Sequence, residues 1–270
     1  RDFIGLAQTG TGKTAAFGLP LLQLLDFTSK ITQALILAPT RELCVQIAKD
    51  LDNYASFTAG VRIVAVYGGA SIQTQISEIK KGAHIIVATP GRLQDLINRK
   101  RVDISAIKYV VLDEADEMLN MGFQEDIDII LAKTPDEKNT WLFAATMPDQ
   151  VHRITRNYMS NPFELTIGAK NVGAENIEHM YYVVHERDRY AALKRIVDAN
   201  PDIFAIVFCR TKIETQETAE KLIKDGYNAD SLHGDLSQPQ RDKVMKRYRE
   251  RQLQLLVATD VAARGIDVND

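Results

Sequence analysis

Cysteine is scarce in this sequence. Two occur in 270 residues, Cys44 and Cys209, too far apart for a C-x-x-C metal knuckle and too few for a disulfide framework. A reducing compartment is therefore expected, with the cytoplasm as the default. Long apolar runs are missing as well. "ALILA" (34–38) and "HIIVA" (84–88) fall far short of the roughly 18 residues that cross a bilayer, and read instead as buried strands. The opening "RDFIGLAQTG" has neither an initiator Met nor a basic n-region followed by an apolar h-region, so the start reads as a cut and not as a signal peptide. Excess basic charge is lacking: 33 Lys and Arg stand against 36 Asp and Glu, a net charge of −3. That balance excludes a histone-like binder but leaves a local basic stripe open. The histidines His84, His152, His179, His185 and His233 have no zinc-like spacing and read as structural or solvated; His233 alone, in "LHGD", adjoins a motif.

What the chain does have is alternation. With 45% apolar and 26% charged residues it is long enough to bury two cores. Apolar runs at 2–7, 34–38, 61–67, 84–88, 108–112, 140–145 and 163–167 are separated by amphipathic stretches, the βα alternation that implies a parallel sheet. In the helix expected at 41–51, Leu43, Ile47 and Leu51 share a face with Cys44 and Ala48 beside it, while Arg41, Lys49 and Asp50 face elsewhere. The pattern loosens in "IGAKNVGAENI". A second series then runs through strands at 179–184, 203–208, 228–232 and 253–258 and helices at 187–198, 212–225 and 238–249. The fold class expected is α/β with two tandem domains, 1–167 and 178–270, joined by a linker at 168–177, the second domain incomplete.

The chemistry begins at "AQTGTGKT", residues Ala7, Gln8, Thr9, Gly10, Thr11, Gly12, Lys13 and Thr14. A strand runs into a glycine-containing loop and then into the apolar helix "AAFGLPLLQLL". Gly10 and Gly12 let the backbone curl so that successive N–H groups and the helix N-terminus face a phosphate chain. Lys13 would reach the β- and γ-phosphates, and the Thr14 hydroxyl would ligate Mg²⁺. The general P-loop pattern opens on glycine; Ala7 stands there instead.

In "YVVLDEADEML" a strand ends in carboxylates, where α/β proteins place ligand-facing groups. Read alone, the run is equally an acidic helix start that complements the macrodipole. Beside a P-loop in the same sheet, NTP hydrolysis is the better account: Asp113 holds Mg²⁺ through its water shell and Glu114 polarises an attacking water. Three further segments, "PTREL" (39–43), "YGGA" (67–70) and "ATPGR" (88–92), each follow an expected strand. Arg41, Gly68, Gly69, Thr89 and Arg92 could track a nucleic-acid backbone. Singly, each is as readily a cap or a turn, with Thr40 as an N-cap and Pro90-Gly91 as a tight turn.

The ordered series "AQTGTGKT", "PTREL", "GG", "TPGR", "DEAD", "AAT" before "MP", "IVFCRT", "QPQR" and "ATDVAARGID" resembles the DEAD-box RNA helicases over essentially the whole chain. The resemblance implies two RecA-like domains that close around ATP and single-stranded RNA, bending the strand so that a short duplex is pried apart. It places Lys13, Thr14, Asp113 and Glu114 in the roles argued above. It has Arg41, Gly69, Thr89 and Arg92 contact RNA from the first domain and Arg210, Arg241 and Thr259 from the second. Asp260 would meet the ribose of ATP. Contacts of this kind, to sugar and phosphate, are salt-dependent and indifferent to sequence.

Family members continue past "ARGID" into a further strand and an "HRIGRTGR" motif whose arginines reach the γ-phosphate. The chain as given is therefore expected to be cut at both ends and weak in hydrolysis by itself, and the preference for adenine rests on the resemblance. Ala7 is the usual family residue. Cys44 stands where the family usually has alanine. Ala144 replaces the serine of "SAT", a residue that helps connect the DEAD carboxylates to the RNA-facing side; its expected partner here is Asp116, with Thr146 or a water as the alternative contact. Two other readings stay open, a DNA-directed translocase on the same scaffold and a non-catalytic RNA-binding scaffold.

Overall fold

The structure is a computed structural model that describes residues 1–8, 10–167 and 178–259. It divides into two compact units, Arg1–Ile177 and Glu178–Asp270. In the first, seven strands alternate with helices: β1 Phe3–Leu6, α1 Lys13–Leu24, β2 Ala34–Leu37, α2 Arg41–Tyr54, β3 Ile63–Val66, α3 Ile72–Lys80, β4 Ile85–Ala88, α4 Pro90–Asn98, β5 Tyr109–Leu112, α5 Ala115–Asn120, α6 Gln124–Leu131, β6 Asn139–Ala144, α7 Asp149–Tyr158 and β7 Phe163–Thr166. All pairings are parallel, in the order β3-β4-β2-β5-β6-β1-β7.

The central strands explain their own sequence. In β2 and the residue after it, Leu35 and Leu37 enter the core on one face while Ala34, Ile36 and Ala38 enter the core on the other, all five fully buried. A strand covered by helices on both sides has no reason to alternate with polar residues, so it reads as one continuous apolar run. At ~1.5–3 kcal/mol for each large aliphatic side chain removed from water, these strands anchor the unit. Helices α1 and α2 cover one face, and α3 to α7 the other.

The ends of the helices follow local chemistry. The Thr40 hydroxyl accepts the Leu43 N–H at 3.2 Å and caps α2, the N-cap role its sequence position allowed. The buried face of α2 is Leu43, Cys44, Ile47, Ala48 and Leu51, as its periodicity predicts. Pro90 opens α4 at a position where its missing N–H costs nothing. At the far end of α4, the Lys100 N–H bonds the Ile97 carbonyl and the Arg101 N–H bonds that of Leu96, while Lys100 takes φ 54°. That is a left-handed helix stop of the kind glycine usually fills.

In the second unit a short 3-10 turn, Glu186–Asp188, leads into α8 Arg189–Ala199, β8 Ala205–Cys209, α9 Lys212–Lys224, β9 Ala229–Leu232, α10 Gln238–Arg249 and β10 Leu255–Thr259. Its parallel sheet has three described strands in the order β8-β10-β9. The strand expected at 179–184 does not form. No described strand lies beside these residues to complete a ladder, and Tyr181 and Val183 stand 88% and 92% exposed. The linker expected at 168–177 lies outside the described residues, as do Thr9 and Asp260. Among the described residues no helix is long and apolar enough to cross a membrane.

Candidate active site

The parallel register aligns the strand ends. Leu6 lies opposite Ala144, Leu142 opposite Leu112, and Leu112 opposite Leu37. The loops after β1, β2, β5 and β6 therefore leave the sheet along one carboxyl edge, where open α/β sheets hold their ligands.

The first of these loops is built for an anion. Gly10 and Gly12 have φ 81° and 84°, a conformation that side chains rarely adopt, and a Cβ built on either would meet nothing within 4 Å, so the space beside both is open. Gly12 is the N-cap of α1; no side chain caps this end and no acidic residue occupies the first turn. The leading N–H groups and the positive end of the helix are left for an incoming ligand. Lys13 turns back over the loop and donates from Nζ to the Ala7 carbonyl at 3.1 Å. Thr11 donates its hydroxyl to the Gln8 carbonyl at 2.8 Å, which holds the outer part of the loop.

Two carboxylates face this loop. Asp113 follows β5 and is 3% exposed, its backbone N–H held by the Leu37 carbonyl. Burial pushes its carboxyl up to about 6, with Asp116 adding to the rise and Lys13 and the Glu114 N–H opposing it. Glu114 is raised to about 7, first by burial and then by Asp113, with Glu117 and Asp116 adding smaller pushes and Lys13 again opposing. One ammonium thus acts on both carboxylates. Glu114 also has φ 51° and ψ 50°, a left-handed conformation that a residue with a Cβ adopts at a cost and that turns the chain sharply into α5. Its N–H donates to Asp113 Oδ1 at 3.1 Å. An open phosphate cradle, a lysine at its base, a hydroxyl at Thr14 and a buried acid whose proton a cation would displace together fit a nucleoside triphosphate with a divalent ion. A P-loop Mg²⁺ takes most of its remaining ligands from phosphate and water, so few protein groups are needed. Among the described residues no group of three or more His, Cys, Asp or Glu is arranged to hold a metal by itself.

Thr146, after β6, donates both its N–H and its hydroxyl to Asp116 Oδ2, at 2.8 and 2.7 Å. Thr146, expected with a water as the alternative contact for Asp116, is in place to make that contact. Ala144 is fully buried, and its carbonyl accepts the Ala7 N–H at 3.0 Å, which ties the P-loop strand to β6.

A second group lies along the same edge. The Arg41 guanidinium sits 3.6 Å from where a Gly68 Cβ would be, and Gly69 has φ 86°. Arg92 donates to the Ala70 carbonyl at 3.2 Å and to Gln75 Oε1 at 3.0 Å, while Gln75 donates onward to the Tyr67 carbonyl at 2.9 Å. Thr89 is buried, its N–H on the Val66 carbonyl, and its hydroxyl does not cap α4. "PTREL", "YGGA" and "ATPGR" are therefore one contiguous edge, with Gln75 as the staple between the last two. Sequence reasoning missed Gln75. The signal was there: it interrupts an apolar helical stripe of Ile72, Ile76 and Ile79, and a buried amide is kept where it has partners.

In the second unit, Thr259 pairs with Cys209, which brings Arg210 and Thr259 to one strand edge. Arg210 is exposed and its N–H is held by Glu214 at 3.2 Å. Arg241 is only 6% exposed and donates to the His233 carbonyl at 3.4 Å, so it is packed into this edge and not extended from it. His233 and Ser231 both meet Gln216 Oε1, at 3.1 and 2.8 Å.

The chain matches the DEAD/DEAH box helicase family over residues 1–154 and the helicase conserved C-terminal domain over 188–270. It is 48% identical over 269 residues to the ATP-dependent RNA helicase CshA of Listeria monocytogenes, covering 100% of this chain and 52% of that protein. It is 45% identical over 267 residues to the ATP-dependent RNA helicase DeaD of Mycobacterium tuberculosis, covering 99% and 47%. The chain thus spans about half the length of these relatives. Among solved structures, S. cerevisiae Dbp5 bound to RNA and ADP BeF3 matches with a TM-score of 0.88 at 31% identity, covering 99% of this chain and 68% of that one. A DEAD box protein from the hyperthermophile Methanococcus jannaschii matches with a TM-score of 0.60 at 41% identity, covering 100% and 72%. With one family model matching more than half its length and the motifs of its first unit gathered along one sheet edge, this chain belongs to the DEAD/DEAH box helicases.

Proposed function

We propose that this chain is the core of an ATP-dependent RNA helicase that grips single-stranded RNA by its backbone, locally opens short duplexes and couples this to ATP hydrolysis. The observation that carries the reading is the meeting of Lys13 with Asp113 and Glu114 beneath an open phosphate cradle. The relatives named as ATP-dependent RNA helicases support it.

In this reading Ala7 to Thr14 wrap the triphosphate. Lys13 exchanges the Ala7 carbonyl for a phosphate oxygen. Thr14 and Asp113 would hold Mg²⁺, which when bound would neutralise charge on the phosphates. Burial favours the protonated carboxyl of Asp113, and a bound cation would favour the ionised form. Glu114, with its carboxyl near 7, is matched to orienting and deprotonating a water at neutral pH. Asp260 meets the ribose.

Arg41, Gly69, Thr89 and Arg92 contact RNA from the first unit, and Arg210 and Thr259 from the second, with Arg241 supporting that edge through the His233 carbonyl. Asp116 and Thr146 link the carboxylate loop to the loop after β6. Domain bounds of 1–167 and 178–270 with a linker between them belong to this proposal, as does work in the cytoplasm, where Cys44 and Cys209 remain the free, buried thiols the structure shows.

The test is RNA-stimulated ATP hydrolysis and strand separation by the full-length protein, on matched RNA and DNA duplexes. Opening of the RNA duplex with ATP supports the reading. Equal opening of DNA would make it a general translocase, and RNA binding without hydrolysis would make it a scaffold.

A further inference from the structure

Beside the edge just described lies a groove of about 390 Å³ lined by Ile72, Gln73, Ile76, Lys80, Arg99 and Arg101. It runs between α3 and the turn that ends α4. We infer that this groove is an additional seat for the sugar–phosphate backbone of RNA, taking a strand that extends beyond Arg41, Gly69 and Arg92. The inference rests on the RNA reading above and adds residues that no helicase motif in the sequence includes.

Charge is the first argument. Lys80, Arg99 and Arg101 are all exposed, and the chain runs Lys80-Lys81 on one side and Arg99-Lys100-Arg101 on the other, in a protein whose net charge is −3. Lys80 and Arg101 have no ion-pair partner among the described residues. Arg99 gives its Nε to Asp95 Oδ1 at 2.6 Å, which leaves both Nη groups for another acceptor. Among the described residues Asp95 is the one acidic side chain engaged here, and it neutralises one of the three lining cations.

The second argument is the backbone. Lys100 holds the left-handed position that stops α4, where glycine carries no penalty. The lysine there sits between the lining residues Arg99 and Arg101 and makes a run of three cations, at a conformational cost.

Continuity is the third. Gln75 of α3 holds Arg92, and Ile72, Gln73 and Ile76 of the same helix line the groove. Along α4 the span from Arg92 to Arg99 is about 10 Å at about 1.5 Å per residue. A strand leaving Arg92 reaches the groove within a few nucleotides.

The floor decides between nucleic acid and an acidic peptide. Ile76 is 8% exposed and Ile72 packs against the core, so little apolar surface remains for the side-chain anchors a docked peptide needs. Cations and the Gln73 amide do the recognising, which suits phosphates and ribose hydroxyls.

The experiment titrates the full-length protein, with a non-hydrolysable ATP analogue, into labelled single-stranded RNA, one oligonucleotide short enough to be confined to the Arg92 edge and one long enough to pass it. Lys80→Gln with Arg101→Gln, and separately Arg99→Gln, are compared with the parent. The expected result is a several-fold weaker grip on the long RNA only. The salt slope should shrink by about 1.4 in the double variant, about 0.7 for each single-strand phosphate that is no longer neutralised. Unchanged slope and affinity for the long RNA would overturn the groove, while a weaker grip in Arg92→Gln would leave the general RNA reading standing. Failure of the parent to bind either RNA overturns both. Binding of polyglutamate that the double variant abolishes, with RNA binding untouched, overturns RNA as the occupant in favour of an acidic peptide.

Discussion

Thr146 gives both its backbone N–H and its hydroxyl to one oxygen of Asp116, at 2.8 and 2.7 Å. The second residue of the DEAD helix is thereby tied to the loop after β6, and the serine hydroxyl the family places at position 144 is not needed to satisfy that oxygen. Thr146→Val keeps the shape and removes one donor. It should cost ~1–3 kcal/mol in this interaction and lower the RNA unwound per ATP hydrolysed, while Ala144→Ser leaves that ratio unchanged. Measuring the ratio in all three proteins checks both halves, and a rise with Ala144→Ser would show that position 144 does take part.

Lys13 holds the Ala7 carbonyl in the structure and exchanges it for phosphate in the proposed complex. Lys13→Ala removes a charge-assisted interaction of ~1.5–3 kcal/mol. Nucleotide affinity in calorimetry should fall about tenfold or more, with hydrolysis abolished. Normal turnover in this variant would refute the site.

For Glu114 the expectation separates binding from chemistry. Glu114→Gln retains size and hydrogen bonding but not the carboxylate, so turnover should drop by ~10² or more while ATP still binds. Parallel losses in affinity and rate would make Glu114 a binding residue.

The pH response of the ligand-free chain follows from the same pair. Ordinary carboxylates of these types titrate near 3.8 and 4.5, whereas Asp113 and Glu114 keep their protons to about 6 and about 7. Between those limits the native state binds more protons than the unfolded chain, so stability falls as pH rises from about 4 to about 7 and is recovered on acidification. The two titrate as a coupled pair. Asp113→Asn should flatten the fall seen in denaturant melts across this range. A native state that gains stability over the same range would contradict the assignment.

Gln75→Leu fills the same volume without the amide. It leaves the Tyr67 carbonyl without that donor and Arg92 without one acceptor, a cost of ~1–3 kcal/mol for buried groups. RNA affinity should weaken while affinity for ATP is retained, and comparing the two titrations tests whether the staple serves the RNA edge.

Much of this molecule is written in local pattern. The βα alternation, the uniformly apolar β2, the Thr40 cap and the stripe of α2 all depend on neighbours within a few residues, so the sequence determines them directly. The phosphate loop is legible for the same reason, since Gly10, Gly12, Lys13 and Thr14 act within a single turn. Tertiary structure decided what depends on distant partners. The strand expected at 179–184 lacks a described neighbour and does not form, because a strand's hydrogen bonds lie outside itself. Gln75 becomes a staple only once β3 and β4 set Arg92 and Tyr67 on either side of it. Asp113 and Glu114 acquire raised carboxyls only through burial and neighbouring carboxylates, against the opposing pull of a lysine roughly one hundred residues away in sequence. No local pattern signals that Glu114 turns left-handed. Sequence supplied the residue types; the parallel register, which brings the ends of β1, β2, β5 and β6 to one edge, made them a site.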